Sequence, residues 1–356
     1  MMRGAEYRVS DPERVLPDAA CASTDAEGAQ PGVKSMLSEP ETLPGTKRAL
    51  LEGERRRTDA QRTLLEAERA SPQATRGASA SAQWQARLSL GFERYGARTI
   101  LARRAHEGPL HVQKPLYPEG RDVCQCIIVH PPGGIADSDE LRLDVEVGPG
   151  AHAQLTTPGA AKWYRSSGAR ASSHASFRIA SRAILEWLPQ GTIVFNGAFA
   201  DSAYRVDCAN DAAFFGWDVV CLGRTASAER FTQGQWRQRF EIRRDNVLIW
   251  NERAVLDTSA GVVASSVGLN GYAVFGTFVT MSYAVDTVFD RAALDACRAL
   301  MPAQGDGTVT RLPSILVARY RGDSSEAAHA YFVAVWSLIR PLVTGRAATP
   351  PRIWRT

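Results

Sequence analysis

The sequence lacks long hydrophobic runs and has few cysteines, and both shortages exclude classes of protein. No run of about 18 apolar residues occurs, so no transmembrane helix is predicted, and the N-terminus lacks the basic-then-apolar order of a signal peptide. Of the six cysteines, only Cys124 and Cys126 are close in sequence, so a disulfide framework is not indicated. We therefore expect a soluble cytoplasmic protein with reduced thiols and no membrane partner.

Motifs for nucleotide and hydrolase chemistry are also missing. The formal net charge is +4 and the basic residues are scattered, so no nucleic-acid partner is indicated. The chain contains neither a G-x-x-x-x-G-K-[ST] phosphate loop nor a G-x-G-x-x-G turn. It also lacks the G-x-S-x-G nucleophile turn and the H-E-x-x-H zinc motif. No motif therefore supports nucleotide hydrolysis, dinucleotide binding or these two hydrolase mechanisms.

Residues 1–82 differ in composition from the rest of the chain. They are rich in Ala, Glu, Arg, Ser, Thr, Gly and Pro and contain almost no aromatic residue after Tyr7. Such a segment cannot bury enough apolar surface to fold alone. We predict a low-complexity extension, disordered or partly helical, followed by a β-rich domain over residues 83–356.

From Trp84 onward, alternating apolar and polar residues predict many short strands. Trp84 to Tyr95 and Thr99 to Arg103 flank Gly96 and predict a hairpin. Further strands are predicted at 110–112, 123–129, 141–147, 151–156, 175–179, 184–188, 192–195, 212–220, 235–242, 247–250 and 271–281. Because no helical pattern intervenes, the prediction is a mainly β fold, an extended multi-strand scaffold.

Two stretches near the C-terminus predict α-helices. Asp290 is the predicted N-cap of a helix that ends before Pro302. Ser324 or Ser325 begins a second helix with a broad apolar face, and Pro341 is the predicted end. Amphipathic faces are usually buried, so we expect this face to pack on the sheet rather than to bind a partner.

A proline- and glycine-rich turn at His130 is followed by acidic residues. Pro131 and Pro132 restrict φ and remove two backbone donors, and the next two residues are glycines, so the preceding strand must end in a sharp turn. Asp139 and Glu140 follow, before a strictly alternating segment. The pattern predicts two strands joined by a rigid acidic turn.

Several carboxylates lie in apolar or aromatic contexts, where an unpartnered charge is costly. They are Asp139, Glu186 before Trp187, Asp218 in a run of aromatic and aliphatic residues, and Glu252 after Trp250. One interpretation is that each pairs with an arginine, and the candidate arginines are Arg165, Arg224 and Arg253. The other is that the carboxylates together line a polar passage for a divalent cation.

Histidines and cysteines do not predict a closed metal site. The six histidines are mostly well separated in sequence, and none forms a close ligand pair with a cysteine. Cys124 and Cys126 lie two residues apart and would share one face of a strand. They could bind a soft metal, but two small apolar residues on a buried face is the favoured interpretation.

Several motifs together resemble those of the urease accessory protein family UreD, also called UreH. The resemblance extends from about Trp84 to the C-terminus and excludes the N-terminal extension. The motifs are His130-Pro131-Pro132-Gly133-Gly134-Ile135, Thr157-Pro158-Gly159-Ala160-x-Lys162-Trp163-Tyr164-Arg165-Ser166, Leu185-Glu186-Trp187-Leu188-Pro189-Gln190, Trp217-Asp218-Val219-Val220-Cys221-Leu222-Gly223-Arg224, Arg244-Asp245-Asn246, Gly276-Thr277, Arg319-Tyr320 and Pro350-Pro351-Arg352-Ile353-Trp354-Arg355-Thr356.

The resemblance implies a non-enzymatic scaffold with a mainly β fold and a few helices. Members of the family bind apo-urease, recruit UreF and, through it, the GTPase UreG, so that nickel reaches the carbamylated lysine of urease. The resemblance also implies a transient nickel path past Asp139, Asp218 and Glu252, with no tightly bound cofactor. Sparse carboxylate contacts suit an ion that must leave again better than a closed cage of nitrogen or sulfur ligands.

The sequence departs from the family pattern at four places. Asp137-Ser138 replaces a usual glycine pair, and Ala161, Gly191 and Asn196 replace residues that are often polar or acidic. We expect the first change to stiffen the loop, to add a charge and to alter the entrance of the path.

Two other functions remain open from the residues. A β-rich carbohydrate-active enzyme could use paired carboxylates, Asp139 with Glu140 or Asp218 with Glu252, but it would need them in an open cleft. A nickel-storage protein would need a stable site, which the dispersed histidines do not favour.

Overall fold

The computed structural model describes residues 84–282 and 289–355, so the extension predicted for residues 1–82 lies outside the described residues. The strands of the described part are β1 (Gln85–Tyr95), β2 (Arg98–Glu107), β3 (His111–Val112), β4 (Val123–Val129), β5 (Gly134–Ile135), β6 (Glu140–Val147), β7 (His152–Thr156), β8 (Ala161–Trp163), β9 (Ala171–Ile179), β10 (Ile184–Leu188), β11 (Thr192–Val194), β12 (Phe199–Cys208), β13 (Ala213–Leu222), β14 (Gln235–Arg244), β15 (Val247–Asp257), β16 (Val274–Met281), β17 (Asp306–Leu312) and β18 (Ile315–Gly322). The α-helices are α1 (Arg291–Ala299) and α2 (Ser325–Thr344), and short 3-10 turns lie at Thr225–Ser227, Thr258–Ala260 and Arg352–Arg355. The predicted mainly β scaffold with two late helices is confirmed.

The strands form two large sheets. Sheet I has the order β15-β14-β12-β9-β6-β1-β2. Sheet II has the order β17-β18-β16-β13-β10-β7-β4-β3, and the short strands β5, β8 and β11 extend from β13 as a side row. The outermost pairs of both sheets are antiparallel, whereas β6, β9, β12 and β14 in sheet I and β4, β7, β10 and β13 in sheet II are parallel.

The parallel strands arise because the chain winds as a coil. It passes from sheet II through a strand of the side row to sheet I and back, as in β4-β5-β6, β7-β8-β9 and β10-β11-β12. Val123 pairs with His152, His152 with Ile184 and Ile184 with Ala213, so one coil takes about 30 residues, as in solenoid proteins that stack a repeated unit. Each coil buries its inward side chains against the coils beside it.

The same turn closes successive coils where sheet I returns to sheet II. The amide N–H groups of Ala151, Ala183 and Ala212 each donate to the carbonyl three residues earlier, at 3.1 Å in all three turns. The three alanines are fully or almost fully buried. A small residue is needed there because the turns stack directly on one another.

Helix α2 covers the outer face of sheet II. Ser324 caps its N-terminus by accepting from the amide of Ala327 at 3.1 Å. Phe332 and Trp336 are buried against Trp217 and Phe278, with ring centroids 6.2 to 6.5 Å apart. The expectation that the apolar face packs on the sheet is confirmed. By length and composition alone the helix could span a membrane, and 44% of its most apolar window is buried inside the protein.

Strand β13 lies beneath α2 and is buried on both faces. All ten of its residues are buried, one set facing the coil interior and the other facing the helix. Such a strand shows a continuous apolar run rather than alternation. Asp218 is the charged residue within this buried run.

The structure corrects two predictions. Helix α2 continues past Pro341 to Thr344, because the proline removes only one donor and Gly345, at φ 69°, caps the helix by donating to the Pro341 carbonyl at 2.9 Å. Strands do flank the acidic turn, as predicted, and the turn joins two sheets, since β4 belongs to sheet II and β6 to sheet I. The list of predicted strands also omitted the short strands β5 and β8 and the longer strands β12, β17 and β18. The hairpin of β1 and β2 and helix α1, capped by Asp290, are confirmed.

Candidate functional site

A cavity of about 400 Å³ lies inside the coil, between the two sheets and the side row of short strands. Leu141, Leu143, Ala175 and Trp187 supply its apolar walls from successive coils. Its polar lining includes His130, Thr192, Ser202 and Tyr204. The glycines at 133, 134, 159 and 191 also line it, so the Gly- and Pro-rich motifs of the sequence form the rim of one internal space.

Asp218 lies just behind two of these lining residues and is only 2% exposed. Its carboxylate accepts hydrogen bonds from the hydroxyls of Thr192 and Tyr204 and from the side-chain amide of Gln238, each at 3.2 Å. No arginine or lysine of the described residues forms an ion pair with it. The interpretation that Asp218 pairs with an arginine is therefore wrong for the part of the chain the structure describes.

The environment of Asp218 raises its pKa to about 6. Burial is the main cause, because it disfavours the charged form. The negative charge of Glu252 raises the pKa further, while the hydrogen bonds from Thr192 and Tyr204 oppose the rise. The charged form of Asp218 is costly to bury, and its hydrogen-bond donors are neutral, so no positive charge offsets this cost. Such a carboxylate is suited to binding a cation.

Glu252 lies close enough to Asp218 for their charges to interact, although it comes from β15 in sheet I. One of its oxygens, Oε1, accepts from Arg319 at 2.6 Å and from the hydroxyl of Thr277 at 3.1 Å. The other oxygen, Oε2, is buried and has no hydrogen-bond partner among the described residues. Glu252 thus pairs with an arginine, as one interpretation required, but with Arg319 rather than Arg253, and it keeps one oxygen available.

Asp139 occupies a different part of the site, beside His130 in the loop before β6. Its carboxylate accepts from the amide of Ala136 at 2.9 Å. Burial lowers the pKa of His130, and the charge of Asp139 partly opposes this effect. His130 lines the cavity, and its lowered pKa favours the neutral imidazole, the form that binds metal ions.

The three predicted residues therefore form two groups rather than one cluster. Asp218 lies behind the wall formed by Thr192 and Tyr204 and close enough to Glu252 for their charges to interact, whereas Asp139 lies beside His130. His130 is the member of these two groups that lines the cavity. Within residues 84–282 and 289–355, no group of three or more His, Cys, Asp or Glu side chains converges as a metal site. The geometry offers sparse, separated donors.

The sequence did not single out Thr192, Tyr204 or Gln238. Tyr204 lies on β12, which was not predicted, although the alternation of Ala200, Ser202 and Tyr204 was a usable signal. The thiols of Cys124 and Cys126 are fully buried and free, as predicted for small apolar residues on one strand face.

The carboxylate pairs do not lie in an open cleft. Asp218 is buried, and Glu140 forms an ion pair with Arg142 on the outer face of sheet I. Because a glycosidase needs two carboxyl groups that reach a bound sugar, this arrangement does not favour the carbohydrate-active alternative.

Asp137 serves the loop rather than the cavity. Its φ of 48° is in the left-handed region that glycine adopts more easily than other residues, although aspartate tolerates it. The carboxylate accepts from the Ser167 amide at 2.7 Å and from the hydroxyls of Ser166 and Ser167 at 3.1 and 2.8 Å. The added charge holds two loops together, as the expected stiffening requires.

Glu186, the fourth carboxylate, anchors helix α2. It is fully buried and accepts from His152 at 2.7 Å, from the Trp336 indole at 2.8 Å and from Arg340 at 2.9 to 3.1 Å. Burial alone would raise the pKa of Glu186, but His152 and Arg340 outweigh it and lower the pKa to about 2. Glu186 pairs with an arginine that no local sequence pattern could identify, since the two residues are 154 positions apart.

Comparison with known proteins gives one consistent result. The family model described as UreD urease accessory protein matches residues 85–355. A protein named urease accessory protein UreD from Azoarcus sp. strain BH72 is 50% identical over 273 residues, which are 77% of this chain and 94% of that protein. Proteins of the same name from Dechloromonas aromatica and Methylobacillus flagellatus are 49% and 46% identical, over 78% of this chain and 96% of each relative. The matched region coincides with the residues that the structure describes, and these relatives are named as accessory proteins rather than enzymes.

Proposed function

The chain belongs to the UreD urease accessory protein family, and on that premise we propose that it is a non-catalytic scaffold and nickel conduit for urease maturation. It binds apo-urease, recruits UreF and, through UreF, the GTPase UreG, in the cytoplasm. GTP hydrolysis by UreG supplies the energy. Nickel is the cargo and passes Asp139, Asp218 and Glu252 without being held as a resident cofactor.

The conduit proposal rests on the environment of Asp218. It is a buried carboxylate with three neutral hydrogen-bond donors, a pKa of about 6 and a second carboxylate nearby. A structural carboxylate would be expected to have a cationic partner, as Glu186 has. A passing Ni²⁺ ion would supply that positive charge. Burial of Asp218 then serves nickel transport, although it makes the folded protein less stable.

The donor set also suits an ion that must move on. Nickel binds imidazole well and accepts carboxylate oxygens, and tight cages require several such ligands at once. Here His130 with Asp139 and Asp218 with Glu252 lie in separate groups, His130 lining the cavity and Asp218 lying behind lining residues that donate to it. Each group offers few ligands, so an ion bound at one would be released readily toward the other.

Activation of apo-urease tests the maturation role. Apo-urease is incubated with nickel, bicarbonate, GTP, UreF and UreG, with and without this chain, and urease activity and bound nickel are measured. We expect both to depend strictly on the chain. Equal activation without it would refute the maturation role.

Isosteric variants test the conduit within the same assay. Asp218→Asn with Glu252→Gln keeps the shapes of both side chains and should lower the nickel delivered to urease while complex formation by size-exclusion chromatography is unchanged. The matched control is Asp144→Asn with Glu146→Gln, two half-buried carboxylates on the outer face of sheet I that pair with exposed arginines. Normal nickel delivery by the Asp218 and Glu252 variant would remove the conduit role and leave the scaffold role intact.

A further inference from the structure

Two histidines that are not part of the family motifs come together at the edge of the coil. β2 ends at Glu107, and Gly108, at φ 68°, turns the chain toward β3. A side chain at Gly108 would place its Cβ 2.5 Å from the carbonyl oxygen of Gln85, so the turn requires glycine. The turn carries the chain from the edge of sheet I to the edge of sheet II and sets His106 beside His111.

The spacing of the two rings suits one metal ion. Their centroids are 4.3 Å apart and their planes are inclined at 74°. Two imidazoles in neighbouring positions on one ion, with metal–nitrogen distances of about 2.1 Å, have centroids about 4.5 Å apart. His106 is exposed, and the outer torsion of a histidine side chain is soft, so its ring can turn a nitrogen toward an ion shared with His111.

The pair is available for binding, and His111 is next to cavity-lining residues along the chain and across the strands. Neither imidazole forms a hydrogen bond with another residue of the ranges the structure describes. Leu110, which directly precedes His111, lines the cavity. Across β3 and β4, His111 pairs with Val129, and the next residue, His130, also lines the cavity.

We propose that His106 and His111 form a surface capture site for Ni²⁺, made of two imidazoles, at the outer wall of the internal cavity. The identity of the ion rests on the proposed function, whereas the existence of the site rests on the geometry of the two rings. The site lies on the side of the cavity that contains His130 and Asp139. It places imidazole, the nitrogen ligand that nickel favours, at the surface and leaves the carboxylates for the interior.

The site is built for weak binding. It offers two protein ligands, and the remaining positions on the ion are filled by water. Arg104, two residues before His106 on the same strand, places a positive charge on the same side of β2 and reduces the attraction for a cation. Such a site collects the ion without trapping it.

Direct metal binding by the full chain tests the proposal without urease. Equilibrium dialysis measures Ni²⁺ binding to the wild-type protein and to His106→Ala, His111→Ala and, as the matched control, His174→Ala, which removes an exposed histidine from the outer face of sheet I. Since loss of even indirect ligand support costs 10- to 100-fold in metal affinity, either pair variant should weaken one nickel site at least tenfold. The control should bind as the wild type does.

Electron paramagnetic resonance with Cu²⁺ as a probe identifies the ligands independently. At one equivalent, the wild type should show nitrogen couplings from two imidazoles and each pair variant couplings from one. Circular dichroism verifies that each variant is folded. Unchanged nickel affinity and unchanged couplings in both pair variants would show that the two rings only pack edge to face, and would overturn the proposal.

The urease activation assay separates this inference from the proposed function. If the pair variants lose nickel binding and also activate urease more slowly at limiting nickel, the capture site and the proposed function are both supported. Normal nickel binding in the pair variants overturns the capture site even if the chain remains essential for activation. If the chain proves dispensable for activation but the pair variants still lose nickel, the site stands and the role in maturation falls.

Discussion

Replacement of Asp218 by asparagine should stabilise the protein at neutral pH, although it should impair nickel delivery. The carboxylate is buried, and its hydrogen bonds come from Thr192, Tyr204 and Gln238, which are neutral. Asparagine keeps the shape, and the donors that face Asp218 include a hydroxyl and an amide that can reverse their roles. The substitution therefore removes a buried charge without opening a cavity.

The expected gain follows from the pKa. In the folded protein the pKa of Asp218 is about 6, above the ordinary value of 3.8, so the folded state holds the proton more tightly than the unfolded chain does. The contribution of Asp218 to stability is therefore most favourable below pH 3.8 and is lost as the pH rises toward and through 6. At 1.36 kcal/mol for each pKa unit, the full loss is about 3 kcal/mol above pH 7.

Urea unfolding followed by tryptophan fluorescence measures this gain. Asp218→Asn should raise the free energy of unfolding by up to about 3 kcal/mol at pH 8, and its gain over the wild type should be about 2 kcal/mol smaller at pH 4. Asp144→Asn is the control, because its partner Arg87 is exposed and surface pairs contribute about 0 to 1 kcal/mol. Equal stability changes for Asp218→Asn at the two pH values would refute the reasoning that the buried charge is costly.

Three other predictions concern the packing that holds helix α2 and the C-terminus. Glu186→Gln should lower the free energy of unfolding by about 3 kcal/mol or more, because it weakens the buried partner of Arg340, and a loss below about 1 kcal/mol in urea unfolding would contradict this. Removing the chain from Pro350 onward should lower the thermal midpoint of unfolding by several degrees, because the Trp354 indole packs on Trp217 and Trp336 and donates to the Thr156 hydroxyl at 2.8 Å. An unchanged midpoint by differential scanning calorimetry would argue against such docking. Gly276→Ala should destabilise by about 1 to 3 kcal/mol, because its Cβ would lie 2.8 Å from the Phe332 ring under α2, whereas Gly159→Ala, with open space around its Cβ, should have little effect on the same urea transition.

Local sequence patterns determined much of the secondary structure. The hairpin at Gly96 was readable because alternation and a turn residue coincide. Helix α1 was readable from the N-cap Asp290, whose side chain accepts from the amide of Ala293 at 2.8 Å. The burial of Cys124 and Cys126 followed from their spacing on one strand. In each case the deciding interactions lie within a few residues of one another.

The arrangement of the strands was not readable in the same way. Parallel neighbours in the coil are about 30 residues apart, so no hairpin rule applies to them. The stacked turns at Ala151, Ala183 and Ala212 repeat with the coil, and that spacing was the signal that could have identified it. Strand β13 was read as a strand, but its burial on both faces depends on a helix more than 100 residues later.

By itself, the sequence determined a mainly β chain with two late helices, the motifs that place it in a family, and Asp139, Asp218 and Glu252 as the unusual carboxylates. Tertiary structure decided their partners: Glu186 and Glu252 acquire arginines from distant elements, Asp218 acquires only neutral donors, and Asp139 lies apart beside His130. It also brought His106 and His111 to one point through a turn between two sheet edges. The physical reason is that the charge and ligand properties of a side chain depend on the neighbours that folding supplies, and in a coil those neighbours come from other turns of the chain.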